Sequence, residues 1–135
     1  MRVVFDSNVY ISAALSVQGP SRAIMKLSEK GWFEVVIADT ITDEIQRILQ
    51  QKLKWPKEKV DLWMDYLHSL THRIEVRSHV QDCIDPDDNH VLDCALEADA
   101  EIIVTGDNHL LQLHPYRGIK VLTPRAFLEM NLRIQ

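Results

Sequence analysis

Short unbroken aliphatic runs, separated by stretches of helical periodicity, constrain this chain more than any other feature. Val3-Val4-Phe5, the segment FEVVIAD (33–39) and the segment EIIVTGD (101–107) are apolar at successive rather than alternate positions. That is the pattern of strands buried on both faces. Between them the apolar residues follow helical spacing: Ala23, Ile24 and Leu27 in residues 21–30, then Ile41, Ile45, Ile48, Leu49 and Leu53 in residues 40–53. A further helix starts at Pro56, with Val60, Trp63, Met64, Leu67 and Leu70 on its apolar side. Residues 73–77 (RIEVR) read as a short alternating strand and 85–100 as a helix with Pro86 at its first position. A helical turn at 108–113, a strand at 119–123 and a helix from Pro124 follow. The alternation predicts an α/β fold with a mostly parallel central sheet of about five strands, flanked by helices on both faces.

A chain of 135 residues, 46% hydrophobic and 26% charged, with no repeat or linker-like stretch, is expected to form a single domain over residues 1–135. Its formal charge of -5 argues against a broad basic face for nucleic acid. It leaves open an enzyme that meets phosphate through bound cations, which invert the local sign of a carboxylate cluster. Cys83 and Cys94 lack the spacing of a structural zinc site and read as reduced, buried fillers. No stretch has the length of a membrane span and none resembles a signal peptide, so the expected location is the cytoplasm and no membrane partner is expected.

Asp6 and Asp107 each follow an aliphatic run, at the carboxyl end of a strand, where ligands gather in parallel sheets. The plainer role for each is a turn or helix cap. At 100° per residue Glu44 lies about 60° from Ile41, on the edge of the apolar face, whereas Asp43 is turned about 200° away and pairs with Thr40 as in a capping box. A glutamate beside isoleucines must be paired, metal-bound or at a cleft rim. On the helix read from residue 85, Asp88 falls amid Val91, Leu92, Ala95 and Leu96, with Asp87 and Asp93 about 100° and 140° away. Alternatively Asp85 caps that helix and Asp88 is a first-turn acid. Asp6, Glu44, Asp88 and Asp107 brought together would repel strongly unless cations neutralise them. Oxygen-only donors favour Mg²⁺ or Mn²⁺, and the chemistry such a cluster supports is phosphodiester hydrolysis.

The segments VVFDSNVYISA (3–13), TDEIQRIL (42–49) and DPDDNHVLDCALEADAEIIVTGDNHLL (85–111) together resemble the PIN-domain nucleases. The closer resemblance is to the branch that supplies the toxins of prokaryotic toxin–antitoxin pairs. It implies a Mg²⁺- or Mn²⁺-dependent endoribonuclease in which Asp6, Glu44, Asp88 and Asp107 are the catalytic and metal-binding acids. It also implies Asp93 as an outer ligand and Ser7, Asn8 and Thr105 as supporting polar residues. Where relatives read Asp-Thr-Asn this chain reads Asp6-Ser7-Asn8, which keeps the hydroxyl. The implied partners are an RNA substrate, a cognate antitoxin seated in the acidic cleft, and a second copy of the chain. Trp63, Tyr66 and Leu67 are the candidate partner surface, with packing inside the monomer as the plainer alternative. RNA rather than DNA comes from the family, not from any residue able to read a 2′-hydroxyl.

Other side chains carry weaker expectations. His68 and His72 lack the glutamate of a zinc-binding HExxH pattern, and His90 and His109 read as surface residues near the acids, with phosphate contact as the alternative. Of the aromatics Trp32, Trp55, Trp63, Tyr10, Tyr66 and Tyr116, most belong to core or interface rather than to a base-stacking platform. Arg22, Lys26, Lys52 and Lys54 are the cations nearest to a plausible nucleic-acid path. The competing function is a PIN-fold protein without strong catalysis that binds nucleic acid or regulates. An aspartyl phosphatase wants Asp-x-Asp after the first strand, and nucleotide binding wants a glycine-rich loop; both patterns are missing.

Overall fold

The computed structural model describes residues 1–83 and 85–134, without the side chains of Asp87 and Ile134. Its frame is a five-stranded sheet: β1 (Arg2–Phe5), β2 (Glu34–Ala38), β3 (Thr71–Ile74), β4 (Ile102–Val104) and β5 (Lys120–Leu122), in the order β3-β2-β1-β4-β5. Every neighbouring pair is parallel. The expected α/β architecture is thus observed. Val3, Val4, Phe5, Val35 to Ala38 and Ile102 to Val104 are all buried, because helices cover these inner strands and leave no solvent face that would call for alternating polar residues. The helices are α1 (Ser7–Leu15), α2 (Pro20–Glu29), α3 (Asp39–Arg47), α4 (Lys57–Leu70), α5 (Asn89–Glu97), α6 (Asn108–Leu111) and α7 (Pro124–Ile134). Phe5, Tyr10, Phe33 and Phe127 tie strands to helices, with Phe33 and Phe127 edge to face at 4.9 Å.

Four elements depart from the expectation, each for a local reason. α1 has no sequence counterpart because it is buried almost all round, at Ser7, Val9, Tyr10, Ile11 and Ala13, and so lacks a polar stripe to mark its period. The helix expected to run to Leu53 ends at Arg47 and continues as a π-helical turn, Ile48–Lys52. β3 begins at Thr71 rather than 73, directly out of α4, with the Thr71 hydroxyl still donating to the Leu67 carbonyl at 2.9 Å. As an edge strand it has one partner, so burial does not dictate its phase. Residues 85–100 are not one helix: Pro86–Asp88 form a 3-10 turn and α5 starts only at Asn89.

The expected partner surface on α4 is also altered. Leu67 is fully buried in the core, and Trp63 and Tyr66 pack on each other at 5.4 Å with Arg22 over the Trp63 ring. Arg22 is further tied to the Ala13 carbonyl at 2.9 Å, which occupies one of the cations expected to meet nucleic acid. Cys83 and Cys94 are free and buried. Among the described residues no helix is long and apolar enough to cross a membrane.

Candidate metal centre

The register of the two central strands creates the site. Phe5 on β1 is level with Val104 on β4, so the residues that follow, Asp6 and Thr105, leave the sheet side by side. The ladder runs one step further, with the Asp6 amide donating to the Val104 carbonyl at 2.9 Å. Asp6 is 2% exposed and occupies the N-cap position of α1, yet its carboxylate makes no bond to that helix. It accepts instead from the Thr105 hydroxyl at 2.9 Å and the Ser7 hydroxyl at 3.3 Å. The Thr105 hydroxyl in turn accepts from the Asp107 amide at 2.9 Å. One buried hydroxyl therefore braces both strand ends. Asp107 does cap its helix, accepting from the His109 amide at 2.8 Å through Oδ1.

Asp88 arrives by a route that a continuous helix would not provide. It closes the 3-10 turn and stands at the N-cap of α5 without capping it. Its Oδ2 is buried and has no hydrogen-bond partner among the described residues. Asp6, Asp88 and Asp107 each place a carboxylate oxygen within 4.8 Å of the others. At an effective dielectric of about 20, two full charges at that distance repel by roughly 3 kcal/mol. The electrostatics register the conflict: burial, then the facing Asp107, lifts the Asp88 carboxyl to about 8. Burial also raises Asp6, opposed by the Thr105 hydrogen bond and reinforced by Glu44 and Asp107. A buried carboxylate oxygen without a donor, amid two more acids, fits a hard divalent cation with oxygen ligands.

A second donor set, Asp85, Asp88 and His109, meets the same 4.8 Å limit and shares Asp88. Asp85 and His109 carried only cap or surface expectations. The signal available in the sequence was their nearness to Asp88 and Asp107, since residues three apart eclipse in a 3-10 turn.

Glu44 lies near this centre but outside both sets. Its Oε2 is 2.8 Å from His90 Nε2, with side chains 26% and 19% exposed. The His90 contact holds the Glu44 carboxyl below its ordinary range, and the Ser7 hydroxyl adds to this. Burial alone would lower the His90 imidazole, but Glu44, with Asp6 and Asp88 beyond it, raises it. Glu44 and His90 line a cleft of about 600 Å³ between α3 and α5, together with Thr40, Arg47 and Asn89. Asp43 is exposed, as its helix phase predicts, and it too lines the cleft. The expected outward direction of Asp87 concerns a side chain outside the described residues. Asp93 is 7% exposed, lines the same cleft and lies outside both donor sets: Oδ1 accepts from the Val80 amide at 2.7 Å and Oδ2 is 2.9 Å from His79 Nδ1. Asn8 is exposed, beside Gly106 and Asp107 in a smaller cleft.

A parallel sheet whose carboxyl edge gathers aspartates from two adjacent strand ends and one helix start defines an α/β protein with an acidic candidate metal centre. The chain belongs to the PIN-domain family, whose pattern matches residues 2–109, from β1 to just beyond Asp107. An uncharacterized protein of Methanocaldococcus jannaschii is 29% identical over 145 residues, spanning 96% of this chain and 90% of its own. The crystal structure of VapBC2 from Rickettsia felis, bound to a DNA fragment from their promoter, is similar in fold. The TM-score is 0.65 over 91% of this chain and 98% of that one, at 13% identity.

Proposed function

We propose that the protein is a Mg²⁺- or Mn²⁺-dependent endoribonuclease that acts as the toxin of a toxin–antitoxin pair. The observation that carries this reading is the convergence of carboxylate oxygens from Asp6, Asp88 and Asp107, with Asp88 Oδ2 buried and without a hydrogen-bond partner among the described residues. Asp6, Asp88 and Asp107 would hold the cation. When bound, it supplies positive charge for a phosphodiester and for the water that attacks it. Thr105 and Ser7 orient Asp6, and Asp107 is fixed by its own cap to α6. Glu44 and His90 face the adjoining cleft, where a substrate strand has room to lie. Support for a partner chain comes from the fold shared with VapBC2, and the choice of RNA rests on the family.

The test is cleavage of a labelled single-stranded RNA by purified protein. Cutting is expected with Mg²⁺ or Mn²⁺ and its loss with EDTA; undiminished cutting in EDTA would overturn the cation-dependent reading.

A further inference from the structure

The three aspartates leave Glu44 out. Among the described residues, no group of three or more donors within 4.8 Å of one another includes it. Its carboxylate is instead engaged by two protein groups, His90 Nε2 at 2.8 Å and the hydroxyl of Ser7. The Ser7 hydroxyl, which donates to Asp6 at 3.3 Å, thus lies between the two acids, and Glu44 sits beside the cluster rather than in it. His90 Nε2 is itself buried, and its 2.8 Å approach to Glu44 is an ion-pair distance outside hydrogen-bonding geometry, with no other polar partner among the described residues. Both side chains sit on the wall of the cleft between α3 and α5. Asp88 and His90 leave the same turn of chain at the start of α5. One segment therefore supplies both a cluster oxygen and the group that holds Glu44.

We propose that His90 is a positioning residue that keeps Glu44 off the cation. Asp6, Asp88 and Asp107 then form the inner ligand set, and Glu44 remains an outer acceptor facing the cleft. A carboxylate outside the inner set keeps its lone pairs for a water or a ribose hydroxyl, whereas one bound to the cation does not. The inference rests on the cation-dependent reading above and goes beyond it by separating Glu44 from the acids that the resemblance groups with it.

The experiment is a double-mutant cycle read by Mn²⁺ binding, followed through the electron paramagnetic resonance signal of the free ion, with RNA cleavage as a second readout. In the parent, Glu44→Gln is expected to change the Mn²⁺ dissociation constant less than about threefold, while Asp88→Asn weakens it at least about tenfold. His90→Ala frees Glu44 to join the cation and tightens binding about fivefold or more, and adding Glu44→Gln in that background abolishes the gain. His90→Gln, which keeps a donor at this position, is expected to bind as the parent does. In cleavage, His90→Ala lowers kcat with KM unchanged, and His90→Gln restores most of it. If His90→Ala melts below the assay temperature, His90→Leu fills the same space without a donor and gives the same comparison. Equal losses from Glu44→Gln and Asp88→Asn in the parent would overturn the proposal. So would a gain in His90→Ala that survives Glu44→Gln, because that gain would be simple removal of positive charge. A parent that binds no Mn²⁺ removes the cation-dependent reading and this inference together; a parent that binds normally but shows no coupling removes this inference alone.

Discussion

Asp6 shows how a residue can stand at a helix cap and not act as one. It has the backbone of an N-cap for α1, yet its carboxylate turns to Thr105 and Ser7. Asp6→Asn is expected to reduce RNA cleavage at least about hundredfold. In cation-free buffer the same change should raise the melting temperature, because a buried charge that burial and its neighbours disfavour is gone. Melting curves and initial rates on one preparation check both, and a variant that cuts at the parental rate would return Asp6 to a structural role. Thr105 makes the sharper case. Thr105→Val removes the donor to Asp6 and the acceptor of the Asp107 amide at once. A stability loss of about 1–3 kcal/mol in denaturant titration is expected, with cleavage down roughly 10- to 100-fold.

At the scale of elements, the unbroken runs of β1, β2 and β4 were readable because strands covered on both faces carry no polar alternation to confuse them. α1 was unreadable for the opposite reason: a helix buried on nearly every side has no stripe. Asp88 ends a 3-10 turn and does not sit on a helix face, and the first-turn position that Pro86 announces suits both. His90 was legible only as a histidine near acids, because its partner Glu44 comes from α3, and helix phase within α5 carries no information about it. Asp93 shows the same limit. Its acid character was visible, but its clasp on His79 and Val80 was not. Asp93→Ala should release that clasp at a cost of about 1–3 kcal/mol and speed proteolysis within residues 75–82. Mn²⁺ affinity is expected to stay unchanged, and a matching loss of affinity would identify Asp93 as the outer ligand that the resemblance implies.

For the molecule as a whole, the unresolved repulsion at the centre sets how stability responds to acid. Asp6 and Asp88 have folded-state values raised above the usual 3.8, Asp88 to about 8, and His90 is raised above 6.5. Groups raised on folding add stability that is complete at low pH and disappears as pH rises through the folded value. Glu44 and Asp39 are lowered and oppose this only near and below their usual range. Cation-free protein is therefore expected to melt several degrees higher at pH 5.5 than at pH 8, about 3–6 °C. Saturating Mn²⁺ should flatten or reverse that slope, because the ion needs the deprotonated acids; scanning calorimetry with and without the ion decides. Light scattering at micromolar concentration tests the pairing with a second copy that the family resemblance implies, with twice the mass of 15.6 kDa expected. A strictly monomeric result would leave the antitoxin as the remaining protein partner. The sheet order also governs when the centre can exist. Asp6 is made early, but its hydroxyl brace lies 99 residues later, and β1 cannot complete its pairing until β4 follows. A chain still on the ribosome and ending before Ile102 has no Thr105 and no Asp107, so Asp6 lacks its brace and the cluster is incomplete. Under the proposed ribonuclease activity, a product truncated before Ile102 is therefore expected to be inactive, because it lacks both the brace and the last cluster acid.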